Sequence, residues 1–396
     1  MVFLQQLWFN CKNCSTKKDF LWKLSKKASF KNKQIGENMN NFKKIGLTAL
    51  AGSLVAVSAN AIEMSVSGST SVSYTSKSTT TAAAGSQGPG GQAIGVDTGI
   101  SFTGSGELEN GFTVKTFAAL DDGRANTLSS SQLTLGMGSL GTVVFAQQFG
   151  TAANGIDDMT PRVKEEAFDQ AGGSVLQGFG RSTAEGTVTY KSPSFDIQGF
   201  GVSFGVDYDP AAGNASDDHD GVTDKGAGGA GSGTGAVIKV TSDYGVTVGA
   251  GREVVSGQGK AGDKENVTGY VLYTMGPVSV GYQQYYLDNG IGTGVAGGKA
   301  SAPDYDGDAM SIAFNVNDNL SLGYGEIKET KGTVAGTLAV ATTPETSRDI
   351  KSFTAAYSAG GMALTIQQTE TDNYALAAAA DARNVENTHI TLAFAF

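Results

Sequence analysis

A period of two runs through this chain and limits what it can fold into. "IEMSVSGSTSVSY" places Ile62, Met64, Val66, Val72 and Tyr74 on one side, against Glu63 and five serines on the other. "GFGVSFGVDY" sets Phe200, Val202, Phe204, Val206 and Tyr208 against Gly201, Ser203, Gly205 and Asp207, and "AMSIAFNVN" sets Met310, Ile312, Phe314 and Val316 against Ser311, Ala313 and Asn315. The last residues, "ENTHITLAFAF", alternate in the same way, with Ile390, Leu392, Phe394 and Phe396 on one face. Alternation of this kind belongs to a strand whose two sides meet different surroundings. The apolar side suits a core or a hydrocarbon layer, and the small polar side suits water.

Sixteen such segments can be marked, near 62–76, 96–108, 111–121, 130–138, 141–148, 183–191, 195–208, 234–243, 245–256, 265–275, 277–288, 306–317, 319–330, 347–358, 361–371 and 385–396. Their connections alternate in length. "ENG" at 109–111, "GSLG" at 138–141, "SPS" at 192–194, "SDYG" at 242–245, "MGP" at 275–277, "NDN" at 317–319 and "SAGG" at 358–361 read as tight turns, with eight longer loops between them. Hairpins that are thin at one end and elaborated at the other fit a barrel threaded through a membrane. A soluble sandwich or a repeat-built adhesin also alternates, but sixteen strands in up-and-down order would leave two long edges, which closure removes. The segments also match the ~9 to 11 residues a slanted strand needs to cross a bilayer. The expected fold is all-β, a transmembrane antiparallel barrel of sixteen strands.

The front of the chain differs. Its first 61 residues hold both cysteines (Cys11, Cys14), both tryptophans (Trp8, Trp22) and 10 of the 28 basic side chains, with only Asp19 and Glu37 as acids. "MNNFKKIGLTALAGSLVAVSANA", from Met39, has two lysines, an apolar run from Ile45 to Val57 and small residues at Ala59 and Ala61, the layout of a secretory signal peptide. The run is shorter than the ~20 residues of a membrane helix. Residues 39–61 are read as a cleaved signal and 1–38 as an extension of doubtful reality, leaving 62–396 as the barrel. "CKNC" at 11–14 lacks the second pair a structural zinc site requires. The chain beyond Ala61 has 18 basic and 36 acidic side chains, a net charge of −18, and no cysteine. No disulfide scaffold holds it, and its acidity argues against nucleic acid as a partner.

"ENTHITLAFAF" resembles the terminal strand of bacterial outer-membrane proteins, whose last aromatic belongs to the signal read by the assembly machinery. "GSLGTVVFAQQFG" at 138–150 is similar to the turn and fifth strand of general porins, with Ala146-Gln147-Gln148 where an arginine is usual. "GRSTAEGTVTYKSP" at 180–193 resembles the porin run leading into Tyr-x-Ser-Pro: Arg181, Tyr190, Ser192 and Pro193 match, and Glu185-Gly186 depart. The resemblance is to Gram-negative general-diffusion porins of alphaproteobacterial type. It implies outer-membrane localisation, contact with lipid and lipopolysaccharide, a homotrimer, passage of ions and small hydrophilic solutes, no cofactor, and Phe396 as the assembly signal. It also implies that the third long loop folds inward as a constriction. Independently, sixteen strands enclose a lumen too wide for side chains to fill.

That loop, about 149–182, carries Asp157, Asp158, Glu165, Glu166 and Asp169 against Arg162, Lys164 and Arg181. Thr160 as cap and Pro161 at the first helical position predict a short helix over 162–170. Alternation places Lys115, Lys191 and Lys239 on the polar side of their strands. A ring of opposed charge sets ion selectivity without bond chemistry, and the acidic excess predicts mild cation preference. The acids either point into the passage or pin the loop to the wall through Lys115 and Lys191. Two oxygen-rich runs, "DDHDG" at 217–221 and "DYDGD" at 304–308, have spacing that calcium accepts, but neither completes a ligand loop. Catalysis has little to build on: His219 and His389 are the only histidines, and neither lies in a recognisable constellation. A barrel enzyme and an adhesin are the rival classes, and a substrate-specific channel is the nearer alternative. The usual marker of such a channel is a ladder of lumen aromatics. Tyr273 and Tyr285 are candidates, but no ladder is evident.

Overall fold

The computed structural model describes residues 63–81, 90–121, 130–147, 152, 154–163, 186–210, 232–256, 263–288, 304–332, 345–374, 376 and 383–396. The strands are β1 (Glu63–Thr81), β2 (Gly91–Glu107), β3 (Thr113–Asp121), β4 (Ser130–Gly136), β5 (Thr142–Gln147), β6 (Thr187–Lys191), β7 (Phe195–Ile197), β8 (Phe200–Asp209) and β9 (Gly233–Ser242). They continue as β10 (Val246–Val255), β11 (Lys264–Met275), β12 (Val278–Asp288), β13 (Tyr305–Asn315), β14 (Leu320–Lys331), β15 (Thr346–Ala359), β16 (Met362–Asp372) and β17 (Arg383–Ala395). The pairings are antiparallel, and β1 pairs with both β2 and β17, so the sheet closes.

The wall counts sixteen strands, because β6 and β7 are two halves of one. Both pair with β8: Lys191 stands opposite Gly205, and Phe195 opposite Val202. The run "SPS" that joins the halves is therefore not the turn its composition suggests. Pro193 cannot donate to the ladder, and Ser192 bridges the break. Its N–H donates to the Phe204 carbonyl at 2.8 Å, and its Oγ accepts from the Phe204 N–H at 2.8 Å. The chain reverses further on, at Gln198 (φ 56°) and Gly199 (φ 84°). Positive φ at both central residues gives a two-residue hairpin the twist its strands need.

Alternation sorts side chains as the sequence predicts. Ile390 of β17 stands opposite Tyr74 and Ile366, all facing outward, while His389 stands opposite Thr75 and Gln367, all facing inward. Outward apolar side chains are left uncovered by the protein, Phe204 at 43% and Ile238 at 48% exposure among them. Around a closed barrel this makes an apolar outer band over a polar inner wall, and each strand finds its backbone partners on both flanks within the sheet, as a hydrocarbon surrounding requires. The ladder runs on to Phe396. Gly68 N–H donates to the Phe396 carbonyl at 2.8 Å, and Phe396 N–H donates to the Gly68 carbonyl at 2.9 Å. The Phe396 ring covers Gly68 so closely that a Cβ there would lie 2.5 Å from Cε2.

Part of the inner wall is packed. Tyr285, Ala309, Ile327 and Ile350 form a buried cluster across β12 to β15. Beside it Glu329 and Arg348, opposite each other in register, form an ion pair buried to 1% and 3% exposure.

Candidate functional site

The connection from β5 to β6 is the third long loop. Of the charged residues singled out on it, Asp157, Asp158 and Arg162 are described; Lys164, Glu165, Glu166, Asp169 and Arg181 lie outside the described residues. So does most of the expected helix over 162–170. The described part contains a single 3-10 turn at Asn154–Ile156, and residues 160–163 are not helical. Pro161 is engaged differently from a first helical residue: its carbonyl accepts from the Ser311 hydroxyl of β13.

Residues 152 and 154–163 lie against inward positions of the wall. The Ala152 N–H donates to the Asp207 carboxylate of β8 at 3.0 Å. The Met159 N–H donates to Gln283 Oε1 of β12 at 2.7 Å, and Gln283 Nε2 donates to the carbonyls of Ile156 (2.9 Å) and Asp157 (3.1 Å). Ile156 is buried with Tyr270, and Met159, Val237 and Leu272 pack around them. Close approach is possible because the wall offers glycines. A Cβ at Gly251 of β10 would collide with Ile156 Cδ1, one at Gly281 of β12 would collide with Pro161 Cδ, and one at Gly323 of β14 would stand 2.7 Å from Val163 Cγ2.

Asp157 and Asp158 are half-buried on this segment. Burial, with the Asp158 charge beside it, pushes the Asp157 carboxyl up to about 7. Asp158 is also raised by burial, with the Arg162 guanidinium opposing the rise, and Asp158 and Arg162 form an ion pair. The two adjacent carboxyls oppose each other's ionisation, and the Asp158 charge adds to burial in raising Asp157.

The three lysines share the inner face. Lys115 stands opposite Ser105 and Thr134, Lys191 opposite Thr142 and Gly205, and Lys239 opposite Ser203 and Gly249; all three are exposed. Among the described residues the loop is held by Asp207, Gln283 and Ser311, and not through Lys115 or Lys191. Tyr285 is inward as expected and donates to Glu329 Oε1 at 2.7 Å. Tyr273 is outward, opposite Val246 and Val280, and Tyr270 takes the inward position, opposite Gly249 and Gln283. "DYDGD" is largely strand: Tyr305 opens β13, with Asp306 and Asp308 on one face two residues apart, which does not converge oxygens on an ion as a loop does. "DDHDG" lies outside the described residues. Among the described residues no group of three His, Cys, Asp or Glu side chains could hold a metal.

None of Gln283, Asp207, Ser311, Glu329 or Arg348 stands out in the sequence as a site residue. The available signal is positional: each falls on the inward side of an alternating segment.

No protein-family model matches the sequence, and no curated protein matches it. Solved structures do. An anion-selective porin from Comamonas acidovorans superposes with a TM-score of 0.56 at 13% identity, over 85% of this chain and 100% of that one. Salmonella typhi OmpF in complex with daunomycin superposes with a TM-score of 0.58 at 11% identity, over 86% and 99%. In-vitro folded OmpT of Vibrio cholerae, in its trimer form, gives 0.55 at 12%, over 85% and 100%. At such identities the likeness concerns architecture, and on that ground the chain has the closed sixteen-stranded barrel fold of outer-membrane porins.

Proposed function

We propose that this chain is an outer-membrane general-diffusion porin, a water-filled channel through which ions and small hydrophilic solutes pass passively, and not an enzyme. The observation that carries the reading is the division of the closed wall into an apolar outer band and a polar inner face bearing Lys115, Lys191 and Lys239. A sixteen-stranded barrel encloses more space than its inward side chains fill. The third loop narrows the passage, with Asp157, Asp158 and Arg162 as charges of the constriction and Lys164, Glu165, Glu166, Asp169 and Arg181 extending it. Net selectivity is mildly cationic, because acids outnumber bases on the loop and the mature chain is strongly acidic. Export by residues 39–61, reading of Phe396 by the assembly machinery, contact with lipopolysaccharide, a homotrimeric state like that of the trimeric OmpT neighbour, and an alphaproteobacterial type complete the proposal.

Recording from the purified protein in planar bilayers, under a salt gradient and with a panel of sugars, tests it. Ohmic conductance, a cation-directed reversal potential that weakens as salt rises, and unsaturated permeation of small sugars are expected. Absence of conductance refutes the channel, and saturable block by one sugar replaces general diffusion with a substrate-specific pore.

A further inference from the structure

We propose that Gln283 is the positioning residue of the charge filter, fixing where Asp157 and Asp158 stand by gripping the loop's backbone; the inference rests on the porin reading. Gln283 is on the inner face of β12 and is fully buried, at 0% exposure. Both ends of its amide are engaged. Oε1 accepts from the Met159 N–H at 2.7 Å. The two N–H groups of Nε2 serve three acceptors, one of the two being shared: the Ile156 carbonyl at 2.9 Å, the Asp157 carbonyl at 3.1 Å and the Thr268 hydroxyl of β11 at 2.8 Å. Reversing the amide would set an N–H₂ against the Met159 N–H and an oxygen against two carbonyls, so the contacts themselves fix its orientation.

Two features make this a device for placing charge. The grip engages carbonyls at 156 and 157 and an N–H at 159, so it brackets Asp157 and Asp158 without touching their carboxyl groups. All its loop contacts are to backbone, so the position is encoded in the wall and is indifferent to which side chains stand at 157 and 158. The wall also supplies seats on every second strand. Gly205 of β8 meets Ala152, Gly251 of β10 meets Ile156, Gly281 of β12 meets Pro161 and Gly323 of β14 meets Val163, each so closely that a Cβ built on the glycine would press on the loop side chain. Gly281 and Gln283 are two residues apart on one face, so β12 provides seat and grip together.

The test compares reversal potentials in planar bilayers for Gln283→Leu, Gln283→Glu, Asp157→Asn/Asp158→Asn and the combined variants, with the heat-induced electrophoretic shift as the measure of folding. Gln283→Leu should retain the folded barrel and shift the reversal potential by half or more of what the double Asn variant does. Added to the double Asn variant, it should shift it no further, because uncharged residues have no position to lose. Gln283→Glu loses the donors and sets a carboxyl oxygen against the Ile156 and Asp157 carbonyls, so it should release the segment as Gln283→Leu does. Its reversal potential is read against Gln283→Glu in the double Asn background, which carries the same added carboxyl. If the double Asn variant moves the potential and Gln283→Leu does not, the grip is overturned and the filter stands. If the double Asn variant leaves the potential unchanged, the filter reading falls and the grip's role falls with it. Should neither Gln283 variant assemble, hydrogen exchange of the 154–163 segment in the wild type decides. Protection of the Met159 amide by at least ~tenfold over an open loop supports the grip, and unprotected exchange refutes it.

Discussion

Removing Arg348 should destabilise the barrel more than any substitution of an exposed charge. Its guanidinium meets Glu329 Oε2 through Nε at 2.8 Å and through Nη2, and it donates from Nη1 to the Tyr374 carbonyl at 2.9 Å. Both members of the ion pair are almost fully enclosed, Glu329 at 1% and Arg348 at 3% exposure. Arg348→Met leaves the Glu329 carboxylate in that enclosure, still accepting from the neutral Tyr285 hydroxyl but without its counter-charge. Breaking a buried pair from one side costs about 3 to 5 kcal/mol, chiefly through the uncompensated charge. Glu329→Leu/Arg348→Met removes both charges; the loss of the donor to the Tyr374 carbonyl is common to both variants, and the remaining cost falls to the loss of the acceptor for Tyr285, about 1 to 3 kcal/mol. The double variant should therefore be more stable than Arg348→Met alone. Residues 63–396 contain no tryptophan, so urea unfolding in detergent is best followed by far-ultraviolet circular dichroism, with the double-mutant cycle isolating the pair. A cost below about 1 kcal/mol for Arg348→Met, or a double variant worse than the single one, would show that the pair is not desolvated and that the reasoning is wrong.

Asp157 is held protonated to about 7 by burial and by Asp158, so its negative charge appears as pH rises through that value. Cation preference should grow between about pH 5.5 and about pH 8.5, and Asp157→Asn should flatten the dependence of reversal potential on pH. Val72→Arg, outward and opposite Val96 and Leu392, should cost ~2 to 4 kcal/mol near the bilayer middle, while Ser71→Arg on the inner face should cost little; equal losses in urea titrations would reverse the assignment of faces. Gly68→Val, which places a side chain where the Phe396 ring lies, should lower the yield of heat-modifiable barrel about as much as deleting Phe396. Neutralising Lys115, Lys191 and Lys239 together should move the reversal potential toward cations, and no change would remove them from the conduction path.

Much of this architecture is legible in the sequence because the bilayer and the lumen impose opposite demands on successive residues. Period two alone separates Ile390 from Thr391 and places Lys115, Lys191 and Lys239. The departures have local causes. "SPS" has turn composition, yet Ser192 uses its hydroxyl to carry the ladder past Pro193, a contact that composition cannot reveal. Tyrosine suits water as well as a membrane rim, so the residue type at Tyr273 does not report its face; its register with Val246 and Val280 does. Gln283 and Ser311 recognise loop backbone, and Asp207 takes the Ala152 N–H, so none of them leaves a complementary side chain elsewhere in the sequence to find. At the expected helix start residues 160–163 are not helical, and the Pro161 carbonyl accepts from Ser311 of the wall.

The hydrogen bonds between Gly68 and Phe396 also bear on timing. The first strand has nothing to pair with on one flank until β17 has been made, so the contact that completes the cylinder is among the most non-local the chain can make. Non-local pairing is slow, because loop entropy is lost before contacts compensate for it. Meanwhile both margins of the nascent sheet present unpaired amides and apolar side chains, the state most prone to irregular association. Closure of this wall therefore waits on its last strand, and a chain truncated before residue 383 would leave an open sheet rather than a smaller pore.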